Sequence, residues 1–282
     1  MKRNCWICPV CRQELERRED GFTCRNRHHF DVARKGYVHL LPGKRAGQHG
    51  DNRDMLLARR DFLNGGAYAP LADRIVACAC NVLPTTPCVV DAGCGECYYT
   101  DRLARALAQR DHAESLVLGV DMSRQALALG HARNPALCLA VASVYHMPIA
   151  DACADLVLSV FAPYAGDEFL RILRPGGKLC MVVPGPRHLF GLKELLYQDP
   201  YENRVADTAL PGFRLLHREE ISYPLTLDRT SVQALFRMTP YYYRTSPTDR
   251  DKLNGVDTLT TEISFFLLLY EKTDTQSTQQ PT

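Results

Sequence analysis

Short apolar runs alternate with amphipathic segments through the middle of the chain. The apolar runs have the length of buried strands; they begin at Cys88 and recur at residues 116–120, 137–142, 155–161 and 178–183. Segments with helical spacing occupy residues 54–63, 70–83, 99–110, 123–133 and 167–173. This alternation predicts a parallel sheet with helices on both faces.

The last third of the chain extends the pattern with two further strands. We predict helices at residues 187–197 and 229–238, and strands at residues 213–223 and 263–270. Together with the earlier runs, these strands make a mostly parallel, seven-stranded α/β sheet of the Rossmann-like type. We expect this domain to cover residues 55–272 and a polar, disordered tail to follow at residues 273–282.

Composition excludes several classes of protein. The chain has 282 residues, of which 46% are hydrophobic and 23% are charged, and no run of 18 apolar residues occurs. A membrane-spanning helix is therefore not expected. The N-terminus lacks the apolar segment of a secretory signal, so the twelve cysteines are interpreted as reduced thiols of a cytoplasmic protein.

Four cysteines are concentrated in the first 24 residues, and their spacing indicates a zinc site. The pattern is C-x2-C-x12-C-x3-H, formed by Cys8, Cys11, Cys24 and His28. Two short-spaced pairs separated by a hairpin-length loop supply the four ligands that tetrahedral zinc requires. The surrounding segment has few apolar side chains, so a structural metal is expected to hold a small domain at residues 1–42.

Two alternatives for this site stay open in the sequence. Cys5 forms a second, overlapping CxxC with Cys8, and His29 adjoins His28. A redox-active CxxC is disfavoured, because such a motif follows a strand and opens a helix.

The charge distribution points to an anionic partner for the N-terminal domain. Residues 1–60 hold 14 Lys and Arg against 7 Asp and Glu, whereas residues 61–282 carry a net charge of −5. Aromatic and basic residues interleave after the predicted zinc site, as is typical of RNA-binding surfaces. A polar, glycine-rich linker is predicted at residues 43–54.

Polar and glycine residues follow the predicted strands at their carboxyl ends, where ligands bind in parallel sheets. We expect these residues to contact a cofactor; they are Asp91, Gly93, Gly95, Asp121, Met122 and Ser143. Glycines let the backbone approach a ligand closely, and an acid at the end of the second strand accepts hydrogen bonds from ribose hydroxyls.

The glycine turn favours S-adenosylmethionine over a dinucleotide. The dinucleotide fingerprint G-x-G-x-x-G needs a third glycine, and Tyr98 occupies that position. The turn holds no basic residue and begins with Asp91, which suits an amino group rather than a phosphate. S-adenosylmethionine carries an amino group, a ribose and an adenine, and no phosphate.

These residues, together with other parts of the chain, resemble a known family. Asp91-Ala-Gly-Cys-Gly95 looks like motif I of class I S-adenosylmethionine-dependent methyltransferases. The whole chain is similar to the RlmA family of 23S rRNA guanine-N1 methyltransferases. The strings that carry this likeness are Cys8-Pro-Val-Cys11, Cys24 and His28 with Phe30-Asp31 and Gly36-Tyr37-Val38, Ala58-Arg59-Arg60, Gly66-Ala-Tyr68-Ala-Pro70, Cys94-Gly95-Glu96, Tyr98-Tyr99-Thr100, Pro184 to Leu189 and Met238-Thr239-Pro240.

The resemblance implies a zinc domain that grips a hairpin in domain II of 23S rRNA, and a homodimer with a shared RNA cleft. Neither DNA nor a membrane is implied as a partner. It also implies cofactor contacts at Tyr68, Gly95, Glu96 and His188. Cys97 departs from the glycine that is usual in this motif. The turn is closer to the branch typical of Gram-negative bacteria, whereas the sister branch modifies a nearby guanine.

Three residues after the predicted strands are candidates for the chemistry on the base. His188 is a titratable group near the strand ends, so it is a candidate proton acceptor or a cofactor contact. Ala162 and Pro163 are expected to shape the base pocket through their backbone. The alternatives to an rRNA methyltransferase are an enzyme that acts on a small molecule, which needs no basic zinc domain, and a non-enzymatic zinc-ribbon RNA binder, which needs no glycine turn.

Overall fold

The computed structural model describes residues 4–43, 53–110, 114–205 and 207–273. Most of the predicted linker (residues 44–52) and of the predicted tail (residues 274–282) lies outside these ranges. No helix in the described ranges is long and apolar enough to cross a membrane.

The N-terminal segment forms a small antiparallel sheet of three short strands. These strands are β1 (Leu15–Arg17), β2 (Gly21–Cys24) and β3 (His29–Asp31), in that order. The backbone oxygen of Phe30 would lie 2.4 Å from a Cβ added at Gly21, so a glycine there lets β2 and β3 approach closely.

A larger sheet organises the rest of the described chain. Its strands are β4 (Tyr37–His39), β5 (Cys88–Ala92), β6 (Leu116–Asp121), β7 (Cys138–Val141), β8 (Ala154–Val160), β9 (Leu173–Pro184), β10 (Phe213–Asp228) and β11 (Thr258–Lys272). Their order in the sheet is β10-β11-β9-β8-β5-β6-β7-β4. β4 to β9 run parallel, and β10 and β11 are antiparallel additions at one edge. The predicted α/β class is therefore confirmed.

The predicted number of strands is wrong: the described residues form a sheet of eight strands rather than seven. The additional strand is β4, whose Val38 pairs in parallel with Ala140 of β7. Val38 is buried between two partly exposed neighbours, which is the alternation of a half-buried strand. A run of three residues is too short for this alternation to be distinguished in the sequence from an irregular extended segment.

Helices cover the faces of the sheet at the positions that the sequence predicts, with three short helical segments added near the C-terminus. They are α1 (Arg53–Asn64), α2 (Ala69–Val82), α3 (Tyr98–Gln109), α4 (Arg124–Arg133), α5 (Gly166–Ile172), α6 (Phe190–Leu196), α7 (Arg229–Met238), α8 (Tyr241–Arg244), α9 (Pro247–Asp251) and a 3-10 turn at Lys252–Gly255. β9 begins at Leu173, five residues earlier than predicted, because Leu173 pairs with Ala154 of β8 before the register shifts and pairing resumes between Lys178 and Leu156.

The N-terminal segment shares an apolar core with the large sheet. Cys5 and Trp6 are buried in the same cluster as Val90 and Leu118 of the central strands. Two backbone hydrogen bonds hold this junction: the N–H of Ile7 donates to Pro148, and that of Ala150 donates to Cys5. The N-terminal segment is thus packed against the larger domain through a shared apolar core.

Candidate active site and metal centre

The four residues predicted to bind zinc lie together at one end of the small sheet. The Cys8 and Cys24 sulfurs are 3.5 and 3.4 Å from Nδ1 of His28, and the Cys11 and Cys24 sulfurs are 3.6 Å apart. All four ligand atoms lie within 4.8 Å of one another. Tetrahedral zinc with ordinary bond lengths places its ligand atoms about 3.4 to 3.8 Å apart, so these residues fit the metal.

The pKa of one ligand, Cys11, also favours a metal. A hydrogen bond from the backbone N–H of Gln13 lowers the pKa of Cys11 to about 6, which favours the thiolate form that binds zinc.

The structure places both of the alternative residues outside the cluster of four. The sulfur of Cys5 lies 3.5 Å from that of Cys88 and belongs to a separate, buried group of three thiols with Cys153. His29 turns to the other side, where Nδ1 contacts the hydroxyl of Thr23 at 2.8 Å. Neither residue lies in the four-ligand cluster. Sequence spacing does not separate these cases, because it does not show which side of the turn a side chain faces.

The glycine turn after β5 is closed against two neighbouring strands. Gly93 has a φ of +83°, and a Cβ added there would lie 2.6 Å from the Cβ of Ala162 after β8. The N–H groups of Gly93 and Cys94 both donate to the carbonyl of Val120 in β6. Gly93 therefore cannot carry a side chain, and two hydrogen bonds hold the turn to β6.

Two aspartates stand at the ends of β5 and β6, as predicted. Oδ2 of Asp121 accepts the N–H of Gly95 at 2.9 Å, and Oδ1 accepts that of Ser123 at 2.7 Å. Asp91 is buried and accepts a hydrogen bond from the hydroxyl of Thr100. Burial raises the pKa of Asp91 to about 7, so its carboxyl group changes charge near neutral pH.

Cys97 takes the backbone conformation that explains why glycine is usual at its position. It precedes α3 with a φ of +64°, which L residues other than Asn and Asp rarely adopt. Its side chain is fully buried and occupies space beside Gly130 of α4, where an added Cβ would lie 2.5 Å from the Cys97 sulfur. The extra atoms thus pack into the interior between two helices.

Glu96 forms a buried ion pair. Oε2 accepts hydrogen bonds from Nη2 and Nε of Arg133 at 2.5 and 3.0 Å. Its other oxygen, Oε1, is buried and has no hydrogen-bond partner among the described residues. Burying an acceptor without a partner is costly, so this atom has the character of a group that a bound ligand completes. Arg133 lies about 40 positions further along the sequence, and no motif identifies it.

Tyr68 and His188 meet inside the domain although 120 residues separate them. The Tyr68 hydroxyl lies 3.4 Å from Nε2 of His188, and the N–H of Ser264 donates to Nδ1 at 3.4 Å. Burial, with a smaller contribution from Lys193, lowers the pKa of His188 to about 3. The imidazole is therefore neutral with its proton on Nε2, which leaves neither nitrogen with a free lone pair for a substrate proton.

Within the part of the chain that the structure describes, two further buried polar atoms near this pair have no hydrogen-bond partner. They are the hydroxyl oxygens of Tyr99 and Ser264. Ser264 donates its backbone N–H to His188, and the Tyr99 ring stacks edgewise on Tyr98 at the start of α3. Together with Oε1 of Glu96, they provide unused hydrogen-bonding capacity beside the strand ends, as a site for a polar cofactor requires.

Large apolar side chains are exposed at three strand ends. Met122 is 40% exposed after β6, Tyr145 is 52% exposed after β7, and Phe161 is 43% exposed after β8. Ser143 lies between the first two, and its hydroxyl accepts the N–H of Tyr145 at 3.3 Å. Planar aromatic groups such as adenine or a nucleobase bind against surfaces of this kind. The sequence singles out Met122 but gives no signal for the exposure of Tyr145 or Phe161.

Comparison with known proteins agrees with this two-part arrangement. Residues 6–46 match the family profile described as "RlmA, N-terminal", and residues 89–177 match a methyltransferase domain profile. The 23S rRNA (guanine(748)-N(1))-methyltransferase of Streptomyces fradiae is 35% identical over 271 residues, which cover 92% of this chain and 94% of that protein.

Two other relatives carry provisional 23S rRNA (guanine-N(1)-)-methyltransferase names. The protein from Micromonospora griseorubida is 35% identical and covers 85% of this chain and 87% of its own. The protein from Bacillus subtilis (strain 168) is 30% identical and covers 87% and 89%. Because these similarities span nearly the whole of both chains, this chain belongs to the RlmA family of 23S rRNA (guanine-N1)-methyltransferases.

Proposed function

We propose that this protein transfers the methyl group of S-adenosylmethionine to N1 of a guanine in a domain II hairpin of 23S rRNA. The observation that carries this function is the packing of a zinc ribbon onto a methyltransferase sheet within one apolar core. The S. fradiae relative that is named for this reaction matches both parts in the same order.

Cys8, Cys11, Cys24 and His28 would hold zinc in a closed, structural site. Three sulfurs and one imidazole nitrogen fill a tetrahedral shell, so no position is left for substrate. The metal would fix the turns of a ribbon whose own strands have three or four residues.

The strand ends would hold S-adenosylmethionine along its length. Gly93 and Gly95 would bring the backbone close to it, Asp91 would suit its amino group, and the carboxylate of Asp121 would accept hydrogen bonds from the ribose hydroxyls. Met122, which is exposed after β6, and Ser143 would contact the adenine. When bound, the cofactor supplies an activated methyl group.

Tyr68, Glu96 and His188 would complete the site through buried polar groups. Because Nε2 of His188 donates to Tyr68, the Tyr68 hydroxyl proton is free to donate to the cofactor carboxylate. Of the two roles that the sequence allows for His188, the geometry supports a positioning contact and not the proton acceptor. Ala162 and Pro163 follow β8 beside Gly93, where they would shape the pocket for the guanine.

The ribbon would bind the RNA. Arg17, Arg18 and Arg25 are exposed on it, and Arg17 lies over the ring of Phe22 at 5.0 Å, so basic and aromatic groups are presented together. A homodimer is supported by β10, an edge strand that exposes Leu215 and Leu216. Action on rRNA would place the protein in the cytoplasm.

Label transfer from S-adenosylmethionine to unmodified 23S rRNA tests this function, with fully modified rRNA as the control. Incorporation into unmodified RNA alone supports an rRNA methyltransferase. Transfer only to small molecules would instead support a methyltransferase that acts on a small molecule. RNA binding without transfer to any acceptor would support a non-enzymatic zinc-ribbon RNA binder.

A further inference from the structure

Phe161 is an exposed aromatic residue in a conformation that bulky residues rarely adopt. It follows the last residue of β8, its φ is +56°, and 43% of its surface is exposed. Burial would compensate for a left-handed backbone at a phenylalanine, and this ring is only partly buried. Part of the ring is therefore left unused by packing inside the protein.

The surrounding structure imposes this backbone conformation. The N–H of Phe161 donates to the carbonyl of Val182 in β9 at 3.1 Å. The next residue, Ala162, presses against Gly93 so closely that no side chain fits there. The neighbouring strand and the glycine turn thus hold the Phe161 ring in a fixed place at the rim of the site.

The ring is supported from the inside by a series of aromatic side chains. Its centroid lies 5.2 Å from that of Phe265 and 6.4 Å from that of Tyr99. Phe265 is fully buried and in turn contacts Tyr68 and His188, with centroid distances of 5.0 and 4.5 Å. Phe161 is the outermost ring of this series, so its outer surface faces solvent on a rigid base.

The order of the strands separates Phe161 from the other exposed apolar side chains. β8 lies on one side of β5 and its glycine turn, whereas β6 and β7, which carry Met122 and Tyr145, lie on the other. If Met122 serves the adenine end of the cofactor, Phe161 lies across the turn from it. That side is where the acceptor of the methyl group must approach.

We propose that the exposed surface of Phe161 is the platform on which the target guanine stacks once it has left the RNA helix. This assignment rests on the proposed function and deepens it. An aromatic surface binds any base. Phe161 would therefore position the base, while hydrogen bonds from the edge of the pocket would select guanine over the other bases. Rigid support matters because the nitrogen must lie in line with the methyl group.

Two substitutions separate stacking from a structural role. Phe161→Asn removes the ring but suits a left-handed backbone, so the variant should fold at least as stably as the wild type. Phe161→Tyr keeps the ring. The zinc-loaded, full-length proteins would be compared by thermal unfolding, by their Kd for S-adenosylmethionine and by kcat/KM on a hairpin RNA.

Stacking predicts that Phe161→Asn loses about 10- to 100-fold in kcat/KM, while Phe161→Tyr stays close to the wild type and both keep the wild-type Kd for S-adenosylmethionine. Wild-type kcat/KM in the Asn variant would overturn the assignment, as would equal losses in both variants or a matching loss of cofactor binding. If the wild-type protein itself does not methylate the hairpin, the proposed function fails instead.

Discussion

The carboxylate of Asp121 and the backbone N–H of Gly95 are joined by a 2.9 Å hydrogen bond that fastens the glycine turn to the end of β6. The other carboxylate oxygen of Asp121 accepts the N–H of Ser123, which is the N-cap of α4. One side chain therefore fixes both the turn and the following helix.

Asp121→Asn should weaken S-adenosylmethionine binding by about 10- to 100-fold, because charged hydrogen bonds are lost and one N–H is left without an acceptor. Calorimetric titration measures the Kd. Asp257→Asn, which changes an exposed aspartate paired with Arg229, is the matched control and should leave the Kd unchanged. Equal effects of the two substitutions would show that Asp121 is not a cofactor contact.

Cys97 and Gly130 should be energetically coupled. Gly130→Ala places a Cβ against the Cys97 sulfur and should cost about 1 to 3 kcal/mol in the free energy of unfolding. Cys97→Gly removes the obstacle, so the double variant should recover much of this loss. Denaturant unfolding of the four proteins measures the coupling, and additive losses would contradict the packing described here.

Cys97→Gly should also leave the Kd for S-adenosylmethionine close to that of the wild type, because the Cys97 side chain lies between α3 and α4. Tighter cofactor binding in this variant would show that the sulfur reaches the cofactor.

Asp91 should make the stability of the cofactor-free protein depend on pH. Burial raises the folded-state pKa of Asp91 to about 7, above its ordinary value of 3.8. The contribution of the protonated Asp91 carboxyl group to the free energy of unfolding is then complete below pH 3.8, and it is lost as pH rises to about 7. Asp91→Asn has no such loss, so its Tm relative to the wild type should rise between pH 5 and 8. A constant Tm difference across this range would contradict the raised pKa.

Cofactor binding should show the opposite pH trend. The ionised carboxylate of Asp91 suits a cationic amino group, so the Kd for S-adenosylmethionine should fall as pH rises through about 7 in the wild type. Asp91→Asn should bind weakly and lose this component of the pH dependence. An identical pH dependence in both proteins would exclude Asp91 from the cofactor site.

Loss of zinc should separate RNA binding from cofactor binding. Cys24→Ser removes a ligand, so metal content should fall and the Kd for the hairpin should rise by about tenfold or more, with little change for S-adenosylmethionine. Cys5→Ala is the control, since Cys5 belongs to the separate thiol group and should leave the zinc content unchanged. Equal losses of RNA and cofactor binding in Cys24→Ser would contradict independent sites.

His188→Asn distinguishes the two roles of this residue. A positioning contact predicts that the Kd for S-adenosylmethionine rises by about tenfold while the pH profile of kcat keeps its shape. A proton acceptor predicts that kcat falls and loses its acidic limb while the Kd stays unchanged. The hydrogen bond from Ser264 to Nδ1 favours the first outcome.

Much of the architecture could be predicted from local patterns. The central strands are buried on both faces, so their apolar runs stand out between amphipathic helices. The zinc ligands come in close pairs, and a pair separated by two or three residues is brought together by a single turn. The acids and glycines that follow β5 and β6 are adjacent because parallel strands end at the same edge.

The remaining features depend on contacts between distant parts of the chain. β4 is a strand because it pairs with β7, and the sequence of its three residues does not by itself predict a strand. Arg133 neutralises Glu96 and Gly130 accommodates Cys97 only after α4 has packed beside the glycine turn. The exposure of Phe161 likewise follows from a backbone conformation that Gly93 and β9 impose.

The most direct measurement is to identify the methylated nucleoside and its position, by nuclease digestion and mass spectrometry of 23S rRNA treated with the zinc-loaded protein and S-adenosylmethionine. We expect 1-methylguanine at a single position in the domain II hairpin. The position shows whether the target is guanine 748, for which the S. fradiae relative is named, or the nearby guanine that the other branch of the family modifies. A methyl group on another base, on an exocyclic amine, or outside this hairpin would contradict the assignment.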